Sequence, residues 1–107
     1  MVRHLAIFKG EGAEKILSGE KTIESRFARR RIPPFGVISS GDLVYIKPSG
    51  GDIIGQFKVR KVIFLDNGEH SKERYITLIF IGQSTKFITS PIKLKKKDLR
   101  GWVVLDK

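Results

Sequence analysis

The sequence predicts an α+β domain: a small mixed β-barrel with one or two helices packed on its flank. Three observations carry that prediction. Short runs rich in Ile, Val, Phe and Tyr recur along the chain, separated by turns containing Gly, Pro and Asp. One segment, residues 11–18, has helical spacing with a glycine stop behind it. The 107 residues leave room for one domain over 1–107, without repeat or linker.

Each element follows in order. Residues 2–8 are β-rich and open the sheet. Gly10 and Gly12 break that run, after which Ala13, Ile16 and Leu17 fall on one helical face and Gly19 stands at the C-cap position. Residues 22–27 read as a strand, with Ile23, Ser25 and Phe27 on one face and Thr22, Glu24 and Arg26 on the other. Residues 28–40, holding Arg29-Arg30-Arg31, Pro33-Pro34 and Gly36, form a loop. Residues 43–47 and 52–65 are strands, the second broken at Gly55 by a bend or bulge. After a polar turn at 66–72, residues 75–81 fit two descriptions. Their β-branched content suits a strand, whereas Ser71 and Gly82 would cap a helix. Residues 91–96 and 102–105 complete the sheet.

Charge is the strongest bulk signal. Lys and Arg total 21 against 11 Asp and Glu, a net charge of +10. Such a field concentrates polyanions, so RNA or a nucleotide is the expected partner. Zero cysteines exclude disulfides, thiolate catalysis and cysteine–zinc sites. With only His4 and His70 available, no metal or other cofactor is expected. No stretch approaches the ~20 apolar residues that cross a bilayer, and the first residues lack a signal-peptide block. The reading is therefore cytoplasmic, with no membrane partner. One Asn and two Gln beside many Ile, Lys and Arg resemble a heat-adapted composition.

The most informative stretch is Gly19-Glu20-Lys21-Thr22-Ile23-Glu24-Ser25-Arg26. It places a cation at a helix-to-strand corner, then a carboxylate and a guanidinium two residues apart on one strand face. Such a cluster offers donors to phosphate or carbonyl oxygens and an acceptor to an exocyclic amine. A P-loop is excluded, because the adjacent Gly-Lys is missing and a strand follows.

Gly19, Lys21, Glu24 and Arg26 together form Gly-x-Lys-x-x-Glu-x-Arg, and in this the sequence resembles the ASCH family, in particular its small stand-alone archaeal and bacterial type. The preceding Ile16-Leu17-Ser18-Gly19, the Gly41-Asp42 turn and the closing Gly101-Trp102-Val103-Val104 fit the same pattern. The resemblance implies a PUA-like β-barrel with a cleft lined by Lys21, Glu24 and Arg26, and RNA binding. One branch of ASCH-like proteins hydrolyses N4-acylated cytidine with a lysine matching Lys21. That branch has threonine where this chain has Glu24, and Glu69 and Glu73 are the acids this chain offers for its further carboxylate. An amidohydrolase using Lys21 and Glu24, or a ribonuclease, is thus the alternative to a binding module.

Further candidates surround this cluster. Arg29, Arg30 and Arg31, flanked by Phe27 and Phe35, can track phosphates and stack bases, or form a solvated loop over two core phenylalanines. Lys47 and Ser49 lie in a Gly-rich turn that could face an anion. Lys93, Lys95, Lys96, Lys97 and Arg100 extend a phosphate track or blunt an edge strand. His4 and His70 have no evident partner, and Trp102 reads as core.

Overall fold

The chain opens with β1 (Arg3–Phe8), followed by helix α1 (Gly12–Leu17), β2 (Ile23–Ala28), β3 (Leu43–Pro48), β4 (Gly55–Asp66), β5 (Tyr75–Lys86) and β6 (Trp102–Val104). This computed structural model describes residues 1–90 and 101–106. The strand expected at 91–96 lies outside the described residues. All six strands form one sheet in the order β2-β5-β4-β3-β1-β6. β1 runs parallel to β3, and every other pairing is antiparallel. The sheet curls into the small barrel that the strand pattern implied, with α1 on its flank.

The ambiguous segment is a strand. Residues 75–81 belong to β5, whose pairing with both β2 and β4 supplies the backbone partners a helix would have found within itself. Helix α1 is one and a half turns long and buries Ala13 and Ile16. It stops because Gly19 takes a left-handed φ of 81° while its N–H donates to the Ile16 carbonyl.

Two glycines mark close approaches. Gly55 begins β4, and a Cβ there would lie 2.6 Å from the Thr85 carbonyl oxygen and 2.7 Å from a Leu17 methyl. The helix thus packs onto the strand where the sequence suggested a break. The register irregularity comes further on, between Phe57 and Lys61, and there a Cβ on Gly82 would meet the Lys58 carbonyl oxygen at 2.8 Å.

The main core gathers Phe8, Ile16, Ile38, Ile46, Phe57 and Ile79 inside the barrel. A second, smaller cluster of Leu5, Tyr45 and Ile53 covers the outer side of β1 and β3, with Phe87 and Val103 packed against it. Among the described residues no helix is long and apolar enough to cross a membrane.

Candidate functional site

Strand β2 turns its charged face inward. Glu24 is only 4% exposed, whereas Ile23 and Phe27 on the opposite face are 40% and 52% exposed. A buried carboxylate needs partners, and Glu24 has two. Lys21 Nζ donates to Oε1 at 2.5 Å, and Arg26 Nε donates to Oε2 at 3.0 Å. The helix-to-strand corner makes this possible: the Lys21 N–H donates to the Lys15 carbonyl, which aims Lys21 back along the strand.

Arg26 does more than balance Glu24. Its Nη1 donates to the Gly101 carbonyl at 3.2 Å and its Nη2 to the Ile7 carbonyl at 3.0 Å. The guanidinium also lies over the rings of Phe8, at 4.8 Å, and Trp102, at 5.3 Å. β2 is one edge of the sheet; Ile7 lies in β1 and Gly101 directly precedes β6, the other edge. One side chain therefore laces the two edges together and closes the barrel. The signature residues Lys21, Glu24 and Arg26 thus come together, Glu24 and Arg26 on one strand face as their spacing implied, with their polar atoms directed mainly at one another and at the backbone.

Above this clasp opens a cleft of about 760 Å³. Arg26, Phe27, Phe35, Tyr75, Thr77 and Trp102 line it, together with residues 32–34 of the loop after β2. Its volume and mostly apolar lining with few polar groups are those of a small-molecule site. Phe35 is fixed by Tyr75 at 4.8 Å and Phe64 at 5.1 Å between ring centroids. Arg31 stacks on the free side of Phe35 at 5.1 Å, and Arg74 on Tyr75 at 4.9 Å. Asp66 holds Arg74 with bonds of 2.8 and 3.2 Å, and this guanidinium, with the Gly68 N–H, keeps the Asp66 carboxyl below its usual range.

Arg29 and Arg30 are exposed beside the cleft wall. Lys47 and Ser49 sit elsewhere, at the end of β3. There the Ser49 N–H donates to the Phe8 carbonyl, behind the ring that Arg26 covers. Lys93, Lys95, Lys96, Lys97 and Arg100 lie outside the described residues.

His4 has the partners its sequence context did not reveal. It is fully buried, its Nε2 lies 2.8 Å from Asp42 Oδ2, and its Nδ1 accepts from Trp102 Nε1 at 3.1 Å. That acceptor role puts the proton on Nε2, which donates to Asp42. Asp42 also accepts from the N–H groups of Val2 and Ser39. Burial pushes its carboxyl up, but these three donors hold it below the usual range. The chain Trp102–His4–Asp42 fixes the indole that forms one wall of the cleft.

Neither histidine is free for acid–base work at the cleft: His4 is committed to this chain, and His70 lies in the exposed β4–β5 turn, 3.9 Å from Glu69. Glu69 and Glu73 belong to the same turn, beyond the Asp66↔Tyr75 pair. Glu24 lies opposite Ile79, four residues further along β5. Both acids therefore lie four or more residues along the strands from the Lys21–Glu24 pair. Among the described residues no group of three or more His, Asp or Glu side chains could hold a metal ion.

No family model matches the sequence, and no curated protein matches it. Solved structures do. A single-substitution variant of the ASCH protein from Zymomonas mobilis has a TM-score of 0.70 at 18% identity, over 98% of this chain and 89% of that one. A second variant gives 0.69 at 18% identity over 98% and 91%, and the unsubstituted protein 0.69 at 17% over 98% and 88%. Nearly the whole chain is thus superposed on proteins with few residues in common, and what they share is the barrel: this chain has the ASCH fold.

Proposed function

We propose that this protein is a binding module for single-stranded RNA, and that one nucleotide unit of the ligand enters the cleft. The observation that carries this reading is the cleft lining: rings of Phe35, Tyr75 and Trp102 around a cationic Arg26, with Thr77 as a neutral polar group. Aromatic walls accept a base by stacking, and the cation favours the attached phosphate. Arg29, Arg30 and Arg31 extend the positive field from the cleft wall. Lys21 and Glu24 serve this site from behind by fixing Arg26, and Lys21, partly exposed, also offers its ammonium to a phosphate. Lys47 and Ser49 supply a further anion-binding point for a longer strand.

Trp102 is the only tryptophan, so its fluorescence reads the cleft directly. Titrating nucleoside monophosphates should quench it, and Tyr75→Ala should weaken that binding about tenfold, as removal of a stacking partner does. In parallel, RNA affinity should fall steeply with salt. Replacing Arg29, Arg30 and Arg31 together with alanine should flatten the slope by up to about 0.7 for each phosphate no longer neutralised. Unchanged fluorescence with every nucleotide would remove the cleft as a site. An unchanged salt slope would remove the arginine loop.

A further inference from the structure

The other face of β2, β5 and β4 is a second feature of this molecule, and apart from Phe27, which also lines the cleft, none of its residues belongs to the cleft wall. Pairing across the three strands sets residues in rows that point the same way. One row is Ile23, Phe80 and Lys61; the next is Ser25, Leu78 and Ile63; the third is Phe27, Ile76 and Leu65. Ile79 and Thr77, between them on β5, point into the barrel and are buried. Every residue of the three rows is half-buried or exposed, so the rows form an open sheet face.

The β-bulge decides the charge of its edge. Val59 pairs with Ile81 and Lys61 with Phe80, so β4 carries one extra residue at this point. Strand alternation would send Arg60 and Lys61 to opposite faces. With the extra residue both are exposed, and both approach Phe80: the Arg60 guanidinium carbon and Lys61 Nζ each lie 5.6 Å from the ring centroid. Lys58, between buried Phe57 and Val59, points outward as well. Among the described residues none of these three cations belongs to an ion pair.

We propose that this face is a platform for single-stranded nucleic acid, with a base stacked on Phe80 and phosphates held by Lys58, Arg60 and Lys61. Charge selects the occupant. Among the residues of these rows and this edge the charged groups are all cations, so a second copy would bring cations together without an acid to meet them. A polyanion with exposed ring faces satisfies both the apolar rows and the cationic edge. Strands paired in a duplex hide those ring faces, so the single-stranded form is the one that fits. The proposal rests on the RNA-binding reading for its partner class only, because none of Lys58, Arg60, Lys61 and Phe80 lines the cleft.

The test compares wild type, Phe80→Ala and the double variant Arg60→Ser/Lys61→Ser. A labelled mixed-sequence RNA of about 10 nucleotides, within the usual span of one small platform, is titrated by anisotropy at several salt concentrations. Monophosphate binding is followed in the same samples through Trp102. Expected are an affinity loss of about tenfold for Phe80→Ala and, for the double variant, a salt slope lower by about 0.7 for each phosphate set free, with monophosphate binding unchanged. The serine variant alters only side chains that point to solvent, so its result stands even if Phe80→Ala folds poorly. Oligonucleotide affinity and slope equal to wild type would overturn the platform while leaving the cleft intact. Loss of oligonucleotide binding with no monophosphate response in any sample would support the platform and sink the cleft. Sedimentation showing a wild-type dimer that Phe80→Ala dissociates would assign the face to a second copy and overturn the proposal.

Discussion

The two halves of the six-stranded sheet both carry apolar residues on their two faces but are buried differently. In the β3-β1-β6 half both faces are covered: Leu5 and Tyr45 pack with Ile53 and Phe87 on the outside, while Ala6, Val44, Ile46 and Trp102 face the main core. In the β2-β5-β4 half only the inner face is covered, and Ile23, Phe27 and Leu65 remain exposed. Hydrophobicity along a strand therefore does not tell core from surface here. One half is covered on both faces and the other leaves one face open to solvent, and the clasp of Arg26 joins them.

The largest expected effect comes from cutting that clasp. Glu24→Ala leaves the Arg26 and Lys21 cations beside an apolar core with no counter-charge. Breaking a buried pair at one end costs about 3–5 kcal/mol, and the lower end applies because water reaches Lys21. Lys21→Met, at a partly exposed position, should cost at most about 1 kcal/mol. Chemical denaturation of the two variants checks this order. Equal, small losses would mean that the two halves stay joined without Glu24.

Within the doubly covered half, Leu5→Ala should cost about 2–5 kcal/mol, since Leu5 is 1% exposed and its cavity is walled on all sides. The same half carries the pH dependence. Asp42 has a folded pKa below its usual 3.8, so the unfolded chain takes up the proton more readily. Stability contributed by Asp42 is present above about pH 4 and is lost as pH falls through the lowered value. Asp42→Asn should cost about 1–3 kcal/mol at neutral pH, because one amide N–H₂ must face a backbone donor. It should also blunt the acid limb of the stability curve. An unchanged acid limb would show that the Trp102–His4–Asp42 chain does not anchor this half.

Local patterns were legible in the sequence, and long-range ones were not. Ile16-Leu17-Ser18-Gly19 announces a helix and its end, because spacing and a left-handed glycine are local properties. That Glu24 and Arg26 share a face follows from strand parity for the same reason, whereas parity does not place Lys21, which joins them through the helix-to-strand corner. The direction of β2 does not. Its face of Ile23, Ser25 and Phe27 looks like the buried one, yet barrel closure needs Arg26 inside to reach the Ile7 and Gly101 carbonyls. Residues 75–81 lack alternation because both faces of β5 are apolar, so periodicity had nothing to register. His4 finds Asp42 at 38 residues' separation and Trp102 at 98, and no window along the chain spans those distances.

The smallest expected effect tests the open half directly. Ile23→Thr keeps a β-branched side chain, so the strand preference of the position is retained. Its side chain points away from the barrel and is already 40% exposed, so little buried area is lost. The change in stability should stay within about 0.5 kcal/mol, as for other surface substitutions. Leu5→Ala, made on the covered half, sets the scale against which that value is read. The measurement should be repeated over a range of protein concentrations, because an interface between copies makes the melting temperature concentration-dependent. A loss for Ile23→Thr comparable with that of Leu5→Ala, or a concentration dependence that the variant abolishes, would show the outer face covered in solution and erase the contrast between the halves.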